Sequence, residues 1–223
     1  MTWTVHTKKP AGHTVSVDLG QSQDYTAICV FERSKEIFEG AQDGEAIRPP
    51  VLHHALRHAQ RLPLGTDYPT VVDVVKSMVV SLGEMSGKRP DLVVDYTGVG
   101  RPVVDAMRKA GLRPIGVTIT GGREEHNGDD GTYSVPKRNL VTVLLTAFQE
   151  ERLKLSSKIP AITELEEELL NFKAKISATG HDSYDAWRDS IHDDLVLSAA
   201  IGVWWGDKQK MTSRKLHIDF MGR

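Results

Sequence analysis

Residues 91–120 constrain the fold more than any other stretch of this chain. DLVVD is a short apolar run bounded by Pro90 and by the turn Thr97-Gly98-Val99-Gly100, which predicts a buried strand ending in Asp95. Residues 101–111 then set Val103, Val104, Met107 and Ala110 on one side and Arg101, Arg108 and Lys109 on the other, as an amphipathic helix does. IGVTIT, residues 115–120, reads as a strand again. Strand, helix and strand in that order make a βαβ unit, and the class is α/β.

The remaining elements are read the same way. HTVSVDLG, residues 13–20, alternates Val15 and Val17 with polar neighbours and predicts a strand ending in Asp18. The turn signal GQSQD leads into YTAICVFER, so the two strands are expected to form an antiparallel hairpin. VLHHALRHAQRL fits a third strand or a short helix by periodicity, and the strand is preferred. Val71, Val72, Val75, Met78, Val79 and Leu82 recur at helical spacing, with Gly87 as a stop. Residues 121–134 are Gly-rich and polar and predict an exposed loop or hairpin tip. Pro136 opens a helix through Leu140, Val143, Leu144 and Phe148; residues 161–172 and 193–205 give two more, and the polar tail 207–223 is expected to be loose. At 223 residues the chain reads as one domain with its core at about 13–206.

Composition excludes several classes. With 39% hydrophobic and 26% charged residues the chain is an ordinary globular one. Its longest apolar run, residues 195–205, is too short to cross a bilayer, and the N-terminus carries no secretory pattern. A cytoplasmic location is the expectation. The single cysteine, Cys29, rules out an internal disulfide or a thiolate zinc site. A net charge of -2 offers nucleic acid no global attraction, so any such binding must use a local basic face.

Asp18 and Asp95 each end an apolar strand, and Asp193-Asp194 open an apolar helix. Any one of them alone could be a turn or helix cap. Several converging on one place would repel unless a cation sat among them, and an all-carboxylate set suits Mg2+ or Mn2+.

The order VSVDLGQSQDYTAI, DLVVDYTGVGRPVVDAM, VPKRNLV and HDDLVLSAAIGVWW resembles the nuclease domain of phage terminase large subunits, within the ribonuclease H-like superfamily. The resemblance spans about residues 13–206. It implies a mixed sheet, with three antiparallel strands followed by parallel ones, flanked by helices. It also implies Asp18, Asp95 and Asp194 as catalytic metal ligands, with Asp193 as the alternative to Asp194. Relatives often carry a further acid one turn on, where this chain has Leu197. Lys137 and Arg138 in the VPKRNLV segment, and Arg101 after Asp95, are the expected DNA contacts, while Arg108 reads as a solvated helix face. The implied activity is Mg2+- or Mn2+-dependent endonucleolytic cleavage of double-stranded DNA during viral genome packaging. The implied partners are the small terminase subunit, the portal and a packaging ATPase, the motor being encoded elsewhere or the chain being an isolated nuclease domain. The alternatives are a Holliday-junction-resolvase-like nuclease and a catalytically silent DNA-binding or assembly module.

Other signals are weaker. Gly98-Val-Gly100 lacks the third glycine of a dinucleotide fingerprint, and residues 83–89 are not a P-loop. His53, His54 and His58 read as surface or packing residues, and His192 either as a residue of the helix start or as one that orients Asp193 or contacts a phosphate. Glu124, Glu125, Asp129 and Asp130 read as a solvated tip, or by the resemblance as a hairpin gating DNA access. Trp204 and Trp205 read as core or interface anchors.

Overall fold

The structure, a computed structural model, describes residues 4–20, 24–39, 49–98, 101–128, 131–179 and 193–221. Three strands come first, Thr4–Asp18 (β1), Ala27–Glu39 (β2) and Val51–Arg61 (β3), each antiparallel to the next. Helix Tyr68–Ser86 (α1) starts on the Asp67 cap, whose side chain accepts from Thr70 N–H, and stops at Gly87 in the left-handed region (φ 66). The βαβ unit is Asp91–Asp95 (β4), Arg101–Lys109 (α2) and Pro114–Thr120 (β5). There follow His126–Asn127 (β6), Thr132–Pro136 (β7), Lys137–Gln149 (α3), Leu153–Lys154 (β8), Ile162–Thr179 (α4) and Asp194–Met221 (α5).

The described strands join one sheet in the order β6-β7-β5-β4-β1-β2-β3-β8. β4 pairs parallel with β1 and β5, and β7 with β5, so the expected change from antiparallel to parallel pairing falls at the β1–β4 boundary. Two points differ from the sequence reading: the first strand begins at Thr4 rather than at 13, and the tail expected to be loose continues α5 to Met221. The 121–134 stretch contains the β6–β7 hairpin, one of the two forms expected of it. Asp129, Asp130 and His192 lie outside the described residues. No helix among the described residues is long and apolar enough to cross a membrane.

Period-2 alternation divides the strands between two layers. Val15, Val17, Ile28, Val30, Leu92 and Val94 pack under α1 and α2. Ala27, Cys29, Phe31, Val93 and Val117 face α3, α4 and α5. Burial of a side chain such as Phe31, Leu195 or Ile201 stabilises the fold by roughly 1.5–3 kcal/mol. α5 lies close on β1 and β2: Ser198 Oγ donates to Ser16 O at 3.0 Å, and Cys29 Sγ lies 3.8 Å from Leu195 O. Trp204 and Trp205 are buried with their rings edge-on to Tyr133, and Trp204 Nε1 donates to Glu125 Oε1. Glu125 also takes Lys208, so this acid of the 121–134 stretch is tied to α5 rather than left to solvent.

The histidines of β3 act in packing. His53 meets Glu36 at 2.9 Å, and the fully buried His54 meets Asp207 Oδ1 at 3.1 Å, which also accepts from Arg152. Burial holds the His54 imidazole below its ordinary pKa, against the pull of Asp207. The native state therefore binds this proton less readily than the unfolded chain does. Its stabilising contribution is fully present above the unfolded value of about 6.5 and is lost as the pH falls from there through the lower native value. Urea titrations between pH 8 and 5 are expected to show a loss with a slope of at most about 1.4 kcal/mol per pH unit from this residue. His54→Asn should be less stable at pH 8 yet lack that component; an unchanged slope in the variant would contradict the assignment.

Candidate active site

Asp18 and Asp95 are register partners across the parallel β1–β4 pair, so their Cα atoms stand about one strand spacing apart, roughly 5 Å. Both share the parity of Ser16 and Val93 and so fall on the α5 side of the sheet. Asp95 is buried, and its Oδ1 accepts from the Thr97 backbone at 2.9 Å and from the Thr97 hydroxyl at 2.5 Å. Thr97 is itself fixed, since its Oγ1 accepts from Ile119 N–H at 2.7 Å. The Asp18 and Asp95 carboxyls are hydrogen-bonded to each other. Burial pushes Asp95 up to about 6 against the Thr97 bonds. Burial also raises Asp18 well above the ordinary value, with the charges of Asp95, Asp194 and Asp193 adding and Lys137 opposing.

The third acidic pair arrives from the far end of the chain. Asp194 opens α5 and is buried, beside Arg61 of β3 at 3.6 Å. Asp193 Oδ2 accepts from Lys137 Nζ at 2.7 Å. Lys137 is the first residue of α3, and β7, which runs straight into it, is parallel to β5; the lysine thus reaches the acids from the same end of the sheet. Arg138 Nη2 donates to the backbone of Arg123, tying α3 to the 121–128 segment. Arg101 is exposed at the start of α2, and Arg108 pairs with Asp105 on the helix surface, as expected of a solvated face.

Asp18, Asp95, Asp193 and Asp194 are thus brought to one place, with Lys137 against them. They do not form a closed cage: among the described residues no group of three or more His, Cys, Asp or Glu side chains stands ready to hold a cation. The side-chain placement accounts for this, because Asp193 is turned to Lys137 and Asp194 lies beside Arg61.

Known structures share this architecture. The nuclease of the large terminase from the thermophilic phage G20c matches with a TM-score of 0.50 and 14% identity, over 86% of this chain and 80% of its own. A human cytomegalovirus terminase nuclease domain, soaked with Mn, matches with a TM-score of 0.51 and 13% identity, over 86% of this chain and 82% of its own. The chain has the fold of a terminase nuclease. No family model and no curated protein matches the sequence.

Two residues beside the acids of this terminase-nuclease fold escaped the sequence reading. Glu168 of α4 is buried, bonded to Arg61 and accepting from Val196 N–H at 2.9 Å in the first turn of α5. Burial pushes its carboxyl up to about 7, Val196 and Arg61 pulling down and Asp194 and Asp193 pushing up. Arg61 and Glu168 together join β3, α4 and the start of α5, and so fix where Asp194 sits. The signal was present: Glu168 falls three residues after Leu165, on the buried stripe of its helix.

Proposed function

We propose that the chain is a divalent-metal-dependent endonuclease that hydrolyses phosphodiester bonds of double-stranded DNA, in the manner of a terminase nuclease during viral genome packaging. The observation that carries this reading is the in-register pairing of Asp18 with Asp95 on the face where α5 begins with Asp193-Asp194. Five carboxylates, with Glu168 counted, gather there against two cations, Lys137 and Arg61. Such an excess of buried negative charge raises the carboxyl proton affinities and would be relieved by a hard dication held by oxygen donors. The donor set therefore fits Mg2+ or Mn2+.

In this reading Asp18, Asp95 and Asp194 would hold one or two ions, with Asp193 as the alternative ligand. The chemistry such a metal would supply there is activation of a water and stabilisation of the leaving 3′ oxygen. The chain's own part is orientation. Thr97 fixes the Asp95 carboxylate, and Arg61 with Glu168 fixes the first turn of α5. Lys137 balances Asp193 at the rim, where it and Arg138 can meet the phosphates beside the scissile one, and Arg101 offers an exposed contact. The partners proposed with the same reading are duplex DNA, a packaging ATPase, a small terminase subunit and a portal.

Supercoiled plasmid incubated with the protein and Mn2+ or Mg2+ is expected to be nicked and then linearised, and chelator is expected to stop it. Cleavage that persists in excess chelator, or no cleavage and no saturable Mn2+ binding, would overturn the assignment. Saturable Mn2+ binding without cleavage would favour the assembly module, and a strong preference for four-way junctions would favour the resolvase-like enzyme.

A further inference from the structure

The α5-facing row of β2 runs Ala27, Cys29, Phe31 and then changes character to Arg33 and Lys35. The change coincides with a polar pocket of about 220 Å³ whose walls include Arg33, Lys35, Lys88, Asp91 and Gly206. The pocket lies at the opposite end of the sheet from the acids. Asp91 begins the strand that Asp95 ends, four residues or about 13 Å away.

We propose that this pocket binds a phosphate group. Arg33 has 7% of its side chain exposed; its Nη2 donates to Asp91 Oδ2 at 2.6 Å and to His13 O at 3.2 Å, and its Nε is buried with no hydrogen-bond partner. A buried guanidinium N–H without an acceptor is costly, and an incoming oxyanion supplies one. Lys35 and Lys88 form no ion pair with any described residue, which leaves three cations facing the single carboxylate of Asp91. The surplus of two positive charges matches a phosphate dianion.

The backbone is shaped around the same point. β1 carries an irregularity between Pro10 and Gly12, and Gly12 is left-handed at φ 95. A Cβ at Gly12 would stand 3.4 Å from Arg33 Nη2 and 3.9 Å from Lys88 Nζ, so both head groups lie within 4 Å of one position. The other wall is α5 at Gly206, where a Cβ would stand 3.2 Å from Arg33 Cδ. The volume is below the roughly 300 Å³ at which pockets for larger organic ligands begin, and suits a small oxyanion with some of its water. The phosphate can belong to a free phosphorylated small molecule or to a DNA backbone.

Calorimetric titration of the whole chain with inorganic phosphate at low ionic strength tests this without recourse to nuclease activity, and its outcome does not depend on the acidic site. Saturable binding at up to millimolar phosphate is expected, weakened at least about tenfold in Lys35→Ala/Lys88→Ala and unchanged in Arg108→Ala on the surface of α2. The two lysines are chosen because Arg33 is also a packing residue, and retained thermal unfolding will establish that the variant is folded. No saturable binding, or equal binding in the double variant, overturns the proposal. In a second arm duplex DNA is added. Competition with phosphate that disappears in the double variant supports DNA as the source, and phosphate binding indifferent to DNA supports a free phosphorylated compound.

Discussion

Asp95→Asn is expected to lower metal-dependent DNA cleavage by at least about 10³-fold while leaving the metal-free protein as stable as before, or more so. Loss of cleavage follows from removing a charged oxygen donor at the centre of the carboxylate group. The stability result is the less intuitive part. The substituted amide can still accept from Thr97 N–H and its hydroxyl through its own carbonyl oxygen, so the local bonds survive. What disappears is a carboxylate whose charged form burial disfavours, and with it the charge that helps to raise the neighbouring Asp18. At pH 8 in chelator the gain should be about 1 kcal/mol, a rise of roughly 2–4 °C in Tm for a chain of this size. Adding Mn2+ should then reverse the order, raising the Tm of the wild type but not of the variant. Differential scanning calorimetry with and without Mn2+, beside a plasmid assay, reads all of this. A variant that keeps its cleavage rate, or one that loses several kcal/mol without metal, would mean that Asp95 is a structural carboxylate.

The parts of this arrangement that were legible in the sequence are those governed by short-range periodicity. DLVVD and HTVSVD announce strands, and the residue that closes each is an acid whichever way the sheet is ordered. Strand parity then places both acids on one face, but only the parallel β1–β4 pairing makes them neighbours, and no local pattern encodes that pairing. The terminase resemblance implied that parallel strands follow the first three and that the two acids share a site, without naming that pairing. The two-residue strands β6 and β8 have too few positions to show alternation, and β7 sits in a stretch whose glycines and acids read as loop or hairpin tip. α5 was cut short at Trp205 because its later turns lack an apolar stripe, although the helix continues through Asp207 and Lys208, which bind His54 and Glu125. Arg61 and Glu168 were missed because each looks like a surface charge until its partner, more than a hundred residues away, is known.

Gly202→Val is expected to be among the most destabilising single changes available, costing about 3 kcal/mol or more and lowering Tm by roughly 6–12 °C. α5 spans the sheet with Asp194 at one end, and it can approach β1 and β2 because the helix presents no side chain at two successive turns. A Cβ at position 202 would stand 2.7 Å from both a Phe31 ring carbon and Ser16 Oγ, and one at Gly206 would overlap His54 Cε1. Phe31 and His54 are fully buried and Ser16 belongs to β1, so none of them can retreat without repacking the layer. Lifting the helix would break the Ser198–Ser16 bond and carry Asp194 away from Asp18, so cleavage should fall together with stability. Helix propensity favours any other residue over glycine, proline excepted, and the expected loss is therefore a test of close packing rather than of helix formation. Gly83→Ala in α1 is the internal comparison, since a Cβ there meets nothing nearer than 4.0 Å and the change should stabilise by up to about 1 kcal/mol. Opposite signs for the two glycines in chemical denaturation would establish that α5 is held by contact with the sheet. A Gly202→Val protein as stable as the wild type would mean that the helix, and Asp194 with it, sits farther from the strands than those contacts require.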